Sequence, residues 1–118
     1  MLQQKAIQEV DRITGYHAHV YYDAESKPAA EILRAAIEAR FAVRLGRWHD
    51  RPIGPHPQWS YQIAFAPEVF AEIVPWLALN RGELTIFLHP ETGDDVPDHR
   101  DFALWLGEKA ELNLDALK

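Results

Sequence analysis

Six histidines occur in this 118-residue chain, which has no cysteine. Two of them lie two apart in Tyr16-His17-Ala18-His19-Val20-Tyr21-Tyr22, and a third ends the run Leu84-Thr85-Ile86-Phe87-Leu88-His89-Pro90. Both runs alternate in the manner of half-buried strands, and in each the histidines fall on the face opposite the aliphatic residues. Imidazole ligates iron, zinc and copper, and its charge changes near neutral pH, so such a face can hold a metal or run acid/base chemistry. The absence of cysteine excludes disulfides, thiolate metal sites and thiol nucleophiles, leaving imidazole and carboxylate to hold any metal. The remaining histidines are His49 and His56, in the segment Trp48 to Pro57, and His99 after the polar run Pro90 to Pro97.

A small set of elements has to bring these residues together. Residues 1–15 read as a polar, weakly helical arm, and Tyr16 to Tyr22 as the first strand. Pro28 opens a helix to Arg40, with Ile32, Leu33, Ala36, Ile37 and Phe41 at helical spacing. Phe41 to Leu45 then alternates as a strand, followed by a long loop punctuated by proline and glycine. Trp59 to Phe65 is a third strand. Pro67 opens a second helix with Val69, Phe70, Ile73, Val74 and Leu77 on one stripe, and Pro75 inside it predicts a kink or a break. Asn80-Arg81-Gly82 ends that helix before the last strand, and Asp98 caps a short C-terminal helix anchored by Phe102, Trp105 and Leu106. The order β-α-β-β-α-β is that of the ferredoxin-like α+β fold, an antiparallel sheet with helices on one face.

That topology supplies a geometry for the histidines. With strand order 4-1-3-2, the start of strand one lies beside the end of antiparallel strand four and, in this reading, beside the start of a parallel strand three. His17 and His89 then meet at one end of the sheet. The long loop bearing His49 and His56 is expected to leave from that same end, and His99 is close enough in sequence to reach it. Parity places Ala18, Val20, Ile86 and Leu88 toward the helices, and His17, His19, Thr85, Phe87, His89 and Gln62 on the opposite face. That second face needs a cover, and a second subunit packed sheet to sheet is the simplest, which predicts a homodimer with one site per subunit.

Length and charge narrow the partners. The chain fits a single domain spanning 1–118, and a formal charge of -6 leaves no basic patch for nucleic acid or an anionic membrane. No apolar run approaches the ~20 residues that span a bilayer, and the start lacks the order of a secretory signal, so the expected location is cytoplasmic. Several residues have simpler explanations. His49, between Trp48 and Asp50, reads as a polar loop residue, and Gly54-Pro55-His56-Pro57 suits either a rigid exposed turn or a rigidly held acid/base. Glu91, Asp94, Asp95 and Asp98 form a charged loop with one helix cap. Trp48, Trp59, Trp76 and Trp105 read as core or interface anchors.

Three segments together carry a resemblance: His17-Ala18-His19-Val20-Tyr21-Tyr22, Gly54-Pro55-His56-Pro57, and Leu88-His89-Pro90-Glu91-Thr92 followed by Asp98-His99. In that order they resemble the DOPA 4,5-dioxygenase family of fungi and bacteria, over nearly the whole chain from Tyr16 onward. The resemblance implies a ferredoxin-like dimer, extradiol cleavage of a DOPA-like catechol by dioxygen, and a functional set of His17, His19, His56, His89 and His99, with His49 outside it. Such chemistry normally uses non-haem iron(II) on two histidines and a carboxylate, with zinc or another divalent ion able to occupy the site in purified protein. No acidic residue is expected on the strand faces. His17 and His89 are therefore the expected ligands, with His19 or His56 as the third, unless Glu91 or an aspartate folds in. His56 or His99, or His19 where it is not a ligand, would move the catechol proton. Arg44 or Arg51 would hold a substrate carboxylate, and Phe87 would offer an aromatic surface. The competing readings are a dimeric ferredoxin-like module that binds a metal or aromatic ligand without turnover, and a cofactor-free oxygenase whose histidines act as bases.

Overall fold

The computed structural model describes residues 6–118; the first part of the expected arm, residues 1–5, lies outside the described residues. The rest of the arm carries a 3-10 turn at Val10–Arg12 and leads into β1 (Gly15–Tyr22). There follow α1 (Lys27–Arg40), β2 (Arg44–Leu45), β3 (Trp59–Phe65), α2 (Phe70–Asn80), β4 (Thr85–Glu91), α3 (Asp95–Arg100) and β5 (Leu104–Leu106). The strands form one five-stranded sheet in the order β2-β3-β1-β4-β5, antiparallel at every pairing. Among the described residues no helix is long and apolar enough to cross a membrane.

Side-chain alternation divides the sheet into two buried layers. On one face Ala18, Val20, Tyr22, Tyr61, Ile63, Phe65, Ile86 and Leu88 pack with Ala30, Leu33 and Ile37 of α1 and Ile73 and Leu77 of α2. The buried line of α1 thus follows positions 30, 33 and 37. Ile32 is 74% exposed because residues adjacent in a helix point about 100° apart and Leu33 already occupies the centre of the stripe. The Tyr61 hydroxyl donates to the Ala30 carbonyl at 3.1 Å and ties β3 to α1. Pro67 opens a 3-10 turn that passes into α2, which runs unbroken through Pro75 to Asn80. The missing proline N–H removes one bond at the middle of the helix, which the packed stripe tolerates.

Three expectations are corrected. β2 is two residues long, since only Arg44 and Leu45 pair with β3, at Ala64 and Ile63. The segment after α3 is an edge strand, with Leu104, Trp105 and Leu106 opposite Leu88, Phe87 and Ile86; three apolar residues are too few to separate a period of 2 from one of 3.6. The helix begins at Asp95 with Asp94 at its cap position, so Asp98 lies inside it.

A fourth correction is one of direction. β3 runs antiparallel to β1, with Tyr16 opposite Phe65 and Tyr22 opposite Trp59. The loop before Trp59 therefore joins the sheet at the end away from His17. It reaches the histidines by folding back over the sheet. The Tyr22 hydroxyl donates to Asp50 Oδ1 at 2.7 Å and Lys27 to Asp50 Oδ2 at 2.6 Å, which anchors the loop on one side. On the other, the Asn113 backbone N–H donates to the Pro55 carbonyl at 2.9 Å. Gly54 turns the loop between them at φ 57°, a left-handed conformation that side chains with a Cβ rarely adopt.

Candidate metal centre

β1 and β4 lie side by side with His17 opposite His89 and His19 opposite Phe87. Alternation along β1 puts His17, His19 and Tyr21 on the face away from α1 and α2, and along β4 it puts Phe87, His89 and Glu91 there. The loop, α3 and β5 cover this face. Phe87 and His89 have no exposed surface, and His19, His56, His99 and Tyr21 are each below 10%. The cover expected from a second subunit is thus supplied for these residues by the chain itself.

Ligand atoms of His17, His19 and His89 all lie within 4.8 Å of one another. The closest approach is His19 Nε2 to His89 Nε2 at 3.1 Å. Two nitrogens held ~2.1 Å from one ion at right angles lie about 3 Å apart, so this pair fits neighbouring ligand positions as it stands. The three residues that come within this distance are all histidines, a group that could hold a metal ion. His89 Nδ1 faces the Pro90 carbonyl at 3.0 Å. A carbonyl only accepts, so Nδ1 carries the proton and Nε2 keeps its lone pair.

Burial is the main cause of the electrostatic state. It lowers His89 to about 3, with the Pro90 carbonyl opposing and His99 and His17 adding to the fall. His19 is held well below its ordinary value by burial and then by His56, His89, His17 and His99. His17 is lowered by burial, then by His99 and Arg44. Each imidazole is thus kept in the neutral, lone-pair form that ligation needs.

His56 and His99 flank this group. The His56 ring lies 4.2 Å from that of His19, and the His99 ring 3.9 Å from that of His89. His99 Nδ1 donates to the Asp95 carbonyl at 2.7 Å, leaving Nε2 as an acceptor. His56 Nδ1 meets the Tyr21 hydroxyl at 2.8 Å. Burial raises the Tyr21 phenol and lowers His56 to about 4, so this bond joins a protonated hydroxyl to a neutral imidazole. His99 therefore turns a basic nitrogen toward the group, and His56 stands on the other side as a neutral imidazole tied to Tyr21. Asp98 holds the turn before His99: its carboxylate accepts from the Thr92 backbone N–H at 2.8 Å and the Thr92 hydroxyl at 2.6 Å.

The other anticipated residues are placed unevenly. Arg44 lies at the sheet edge in a cleft of about 330 Å³ shared with Thr14, His17 and Glu91. Arg51 is exposed on the covering loop. Phe87 is sealed beneath His19 and stacked on Trp105 at 4.5 Å, a floor rather than a surface open to a ligand. His49 pairs through its backbone with Ser60, and its side chain lines a smaller cleft with His19, His56 and Gln62. Sequence reasoning missed Tyr21 and Trp105. The alternation that selects His17 and His19 also selects Tyr21, whereas Trp105 carried no such signal because its segment was read as helix. Glu91 was left in the loop because Pro90 was taken to end the strand; β4 continues to Glu91.

Comparison with other proteins finds relatives over most of the chain. The chain is 37% identical over 111 residues to the DOPA 4,5-dioxygenase of Amanita muscaria, covering 86% of this chain and 49% of that protein. It is 34% identical over 115 residues to an uncharacterized 21.2 kDa protein of Botryotinia fuckeliana, covering 87% of this chain and 63% of that one. The chain thus spans from about half to just under two thirds of the length of these curated relatives. The crystal structure of a candidate dioxygenase from Nostoc punctiforme superposes with a TM-score of 0.93 at 52% identity, covering 94% of this chain and 96% of that chain. Residues 16–116 match the Dopa 4,5-dioxygenase family, and the chain belongs to it.

Proposed function

We propose that the protein is an iron(II)-dependent extradiol dioxygenase that opens the ring of a DOPA-like catechol, with His17, His19 and His89 as the metal ligands. The observation that carries this reading is the convergence of three neutral imidazoles on one buried face in a chain of this family. Iron(II) bound there would have positions left over on which a catecholate and dioxygen can be held side by side. The chain's own residues do the rest. His99 accepts a catechol proton at Nε2 and returns the same proton in the later step, with His56, hydrogen-bonded to the Tyr21 hydroxyl, beside it over the ligand group. Phe87 and Trp105 exclude water from beneath. Arg44, at the mouth beside His17, is the anchor we assign to a substrate carboxylate, with Arg51 available from the loop.

The reading extends to assembly and place. The strand order β2-β3-β1-β4 and the helices between successive strand pairs support a ferredoxin-like single domain. A cytoplasmic homodimer is the working assembly, since two-fold dimers are the commonest soluble oligomers. Oxygen uptake by anaerobically iron(II)-loaded protein tests the activity. Stoichiometric uptake with DOPA, a yellow ring-opened product and loss of both on chelation are the expected result. Tight metal binding without uptake on any catechol would overturn it in favour of a binding module.

A further inference from the structure

Glu91 is one carboxylate facing two imidazoles. It is the last residue of β4, opposite Gly15 of β1, and alternation from His89 returns its side chain to the histidine face. Its Oε1 lies 3.1 Å from His17 Nδ1 and 3.5 Å from His89 Nδ1. The two imidazoles are not equally dependent on it. His89 Nδ1 already has the Pro90 carbonyl at 3.0 Å, whereas for His17 Nδ1 the carboxylate at 3.1 Å is the ion-pair partner.

A neutral imidazole has two tautomers, and the wrong one presents N–H where a metal needs a lone pair. A carboxylate only accepts, so one placed at Nδ1 selects the Nδ1–H form and leaves Nε2 free. From this arrangement we infer that Glu91 is a positioning residue of the metal centre, which fixes the tautomer and ring orientation of His17, and secondarily of His89, without ligating the ion. The inference rests on the reading of His17, His19 and His89 as the ligand set. It turns the carboxylate that the commoner two-histidine arrangement would use as a ligand into an outer support for a three-histidine one.

Cobalt(II) titration of the intact chain, followed by its visible bands and by zinc competition, tests this with E91A and E91Q. Loss of the acceptor in E91A weakens cobalt(II) binding about ten- to hundredfold. The amide oxygen of E91Q still accepts, so its loss is smaller, and the band positions stay those of the unaltered protein in both variants. In the metal-free chain, ¹⁵N spectra of E91A show His17 moving from the Nδ1–H tautomer to a mixture. E91A affinity within twofold of the unaltered protein would overturn the role. Bands that shift in E91Q would overturn it too, by making Glu91 a ligand. None of these readouts needs a catechol or oxygen. Cobalt(II) bound in the expected pattern without ring cleavage leaves Glu91 in its role and removes the dioxygenase reading, whereas cleavage with an unchanged E91A affinity removes the Glu91 role alone.

Discussion

The two faces of the β1–β4 pair are both buried at their centres and made on different principles. Toward the helices, Ala18, Val20, Ile86 and Leu88 have no exposed surface and meet aliphatic residues from two regular helices. On the other face Phe87 and His89 are just as buried, but their cover is a loop, a one-and-a-half-turn helix, a three-residue strand and a tail. The first face gains free energy from apolar burial at roughly 25 cal/mol per Å². The second places imidazoles where their charged forms are disfavoured and must satisfy each polar atom with a named partner. Low exposure therefore does not separate scaffold from site. The kind of cover does, because irregular segments can place single polar groups where a helix stripe cannot.

Substitutions can pull the two faces apart. His89→Ala abolishes metal retention, exceeding the ten- to hundredfold loss typical of an outer partner, while circular dichroism stays native; retained cobalt(II) binding would show that the face is not a metal centre. Acid acts next. His56 and His89 are pushed down from ordinary values near 6.5 to about 4 and about 3, so the unfolded chain takes up protons before the folded one does. Stability of the metal-free protein is full above about pH 6.5 and falls as the pH drops toward 4, by up to ~1.4 kcal/mol per pH unit for each histidine. Urea unfolding at several pH values measures it, and a flat profile over that window would contradict the buried neutral imidazoles. Ile86→Ala, on the helix side of the same strand, costs ~2–5 kcal/mol and leaves cobalt(II) affinity unchanged. An equal loss of affinity would mean that the two faces are coupled through β4. The smallest change is His49→Ala, expected within ~0.5 kcal/mol in stability and with turnover intact; a collapse in oxygen uptake would bring the smaller cleft into the reaction.

Alternation is a local signal, and what it governs was legible in the sequence. β1 and β3 appear within one residue of their expected bounds, and His17 and His89 are direct neighbours. The cover was less legible. A loop that folds back over the sheet is held by Asp50 with Lys27 and Tyr22, and by a backbone bond from Asn113 to Pro55, pairings of residues far apart in the chain that no period announces. The direction of β3 relative to β1 was misjudged, and His56 was still expected near the right residues, since the loop is long enough to cross the sheet. Glu91 shows the finest limit. Proline usually ends a strand, and it is the pairing of Tyr16 with Pro90 and of Gly15 with Glu91 that shows β4 continuing past it.

The Asn113–Pro55 bond also sets an order of events. It joins the turn that carries His56 to the last residues of the chain, closing a loop about half the chain long. Contacts of such span form late in folding, because their closure entropy is met only after nearer contacts exist. They also open early, as a unit held by few bonds. The helix face can then assemble and persist while the lid over the histidines forms and releases on its own timescale. Amide exchange at Asn113 and His56 is expected to be faster than at Val20 and Ile86, and to slow together when a metal is added.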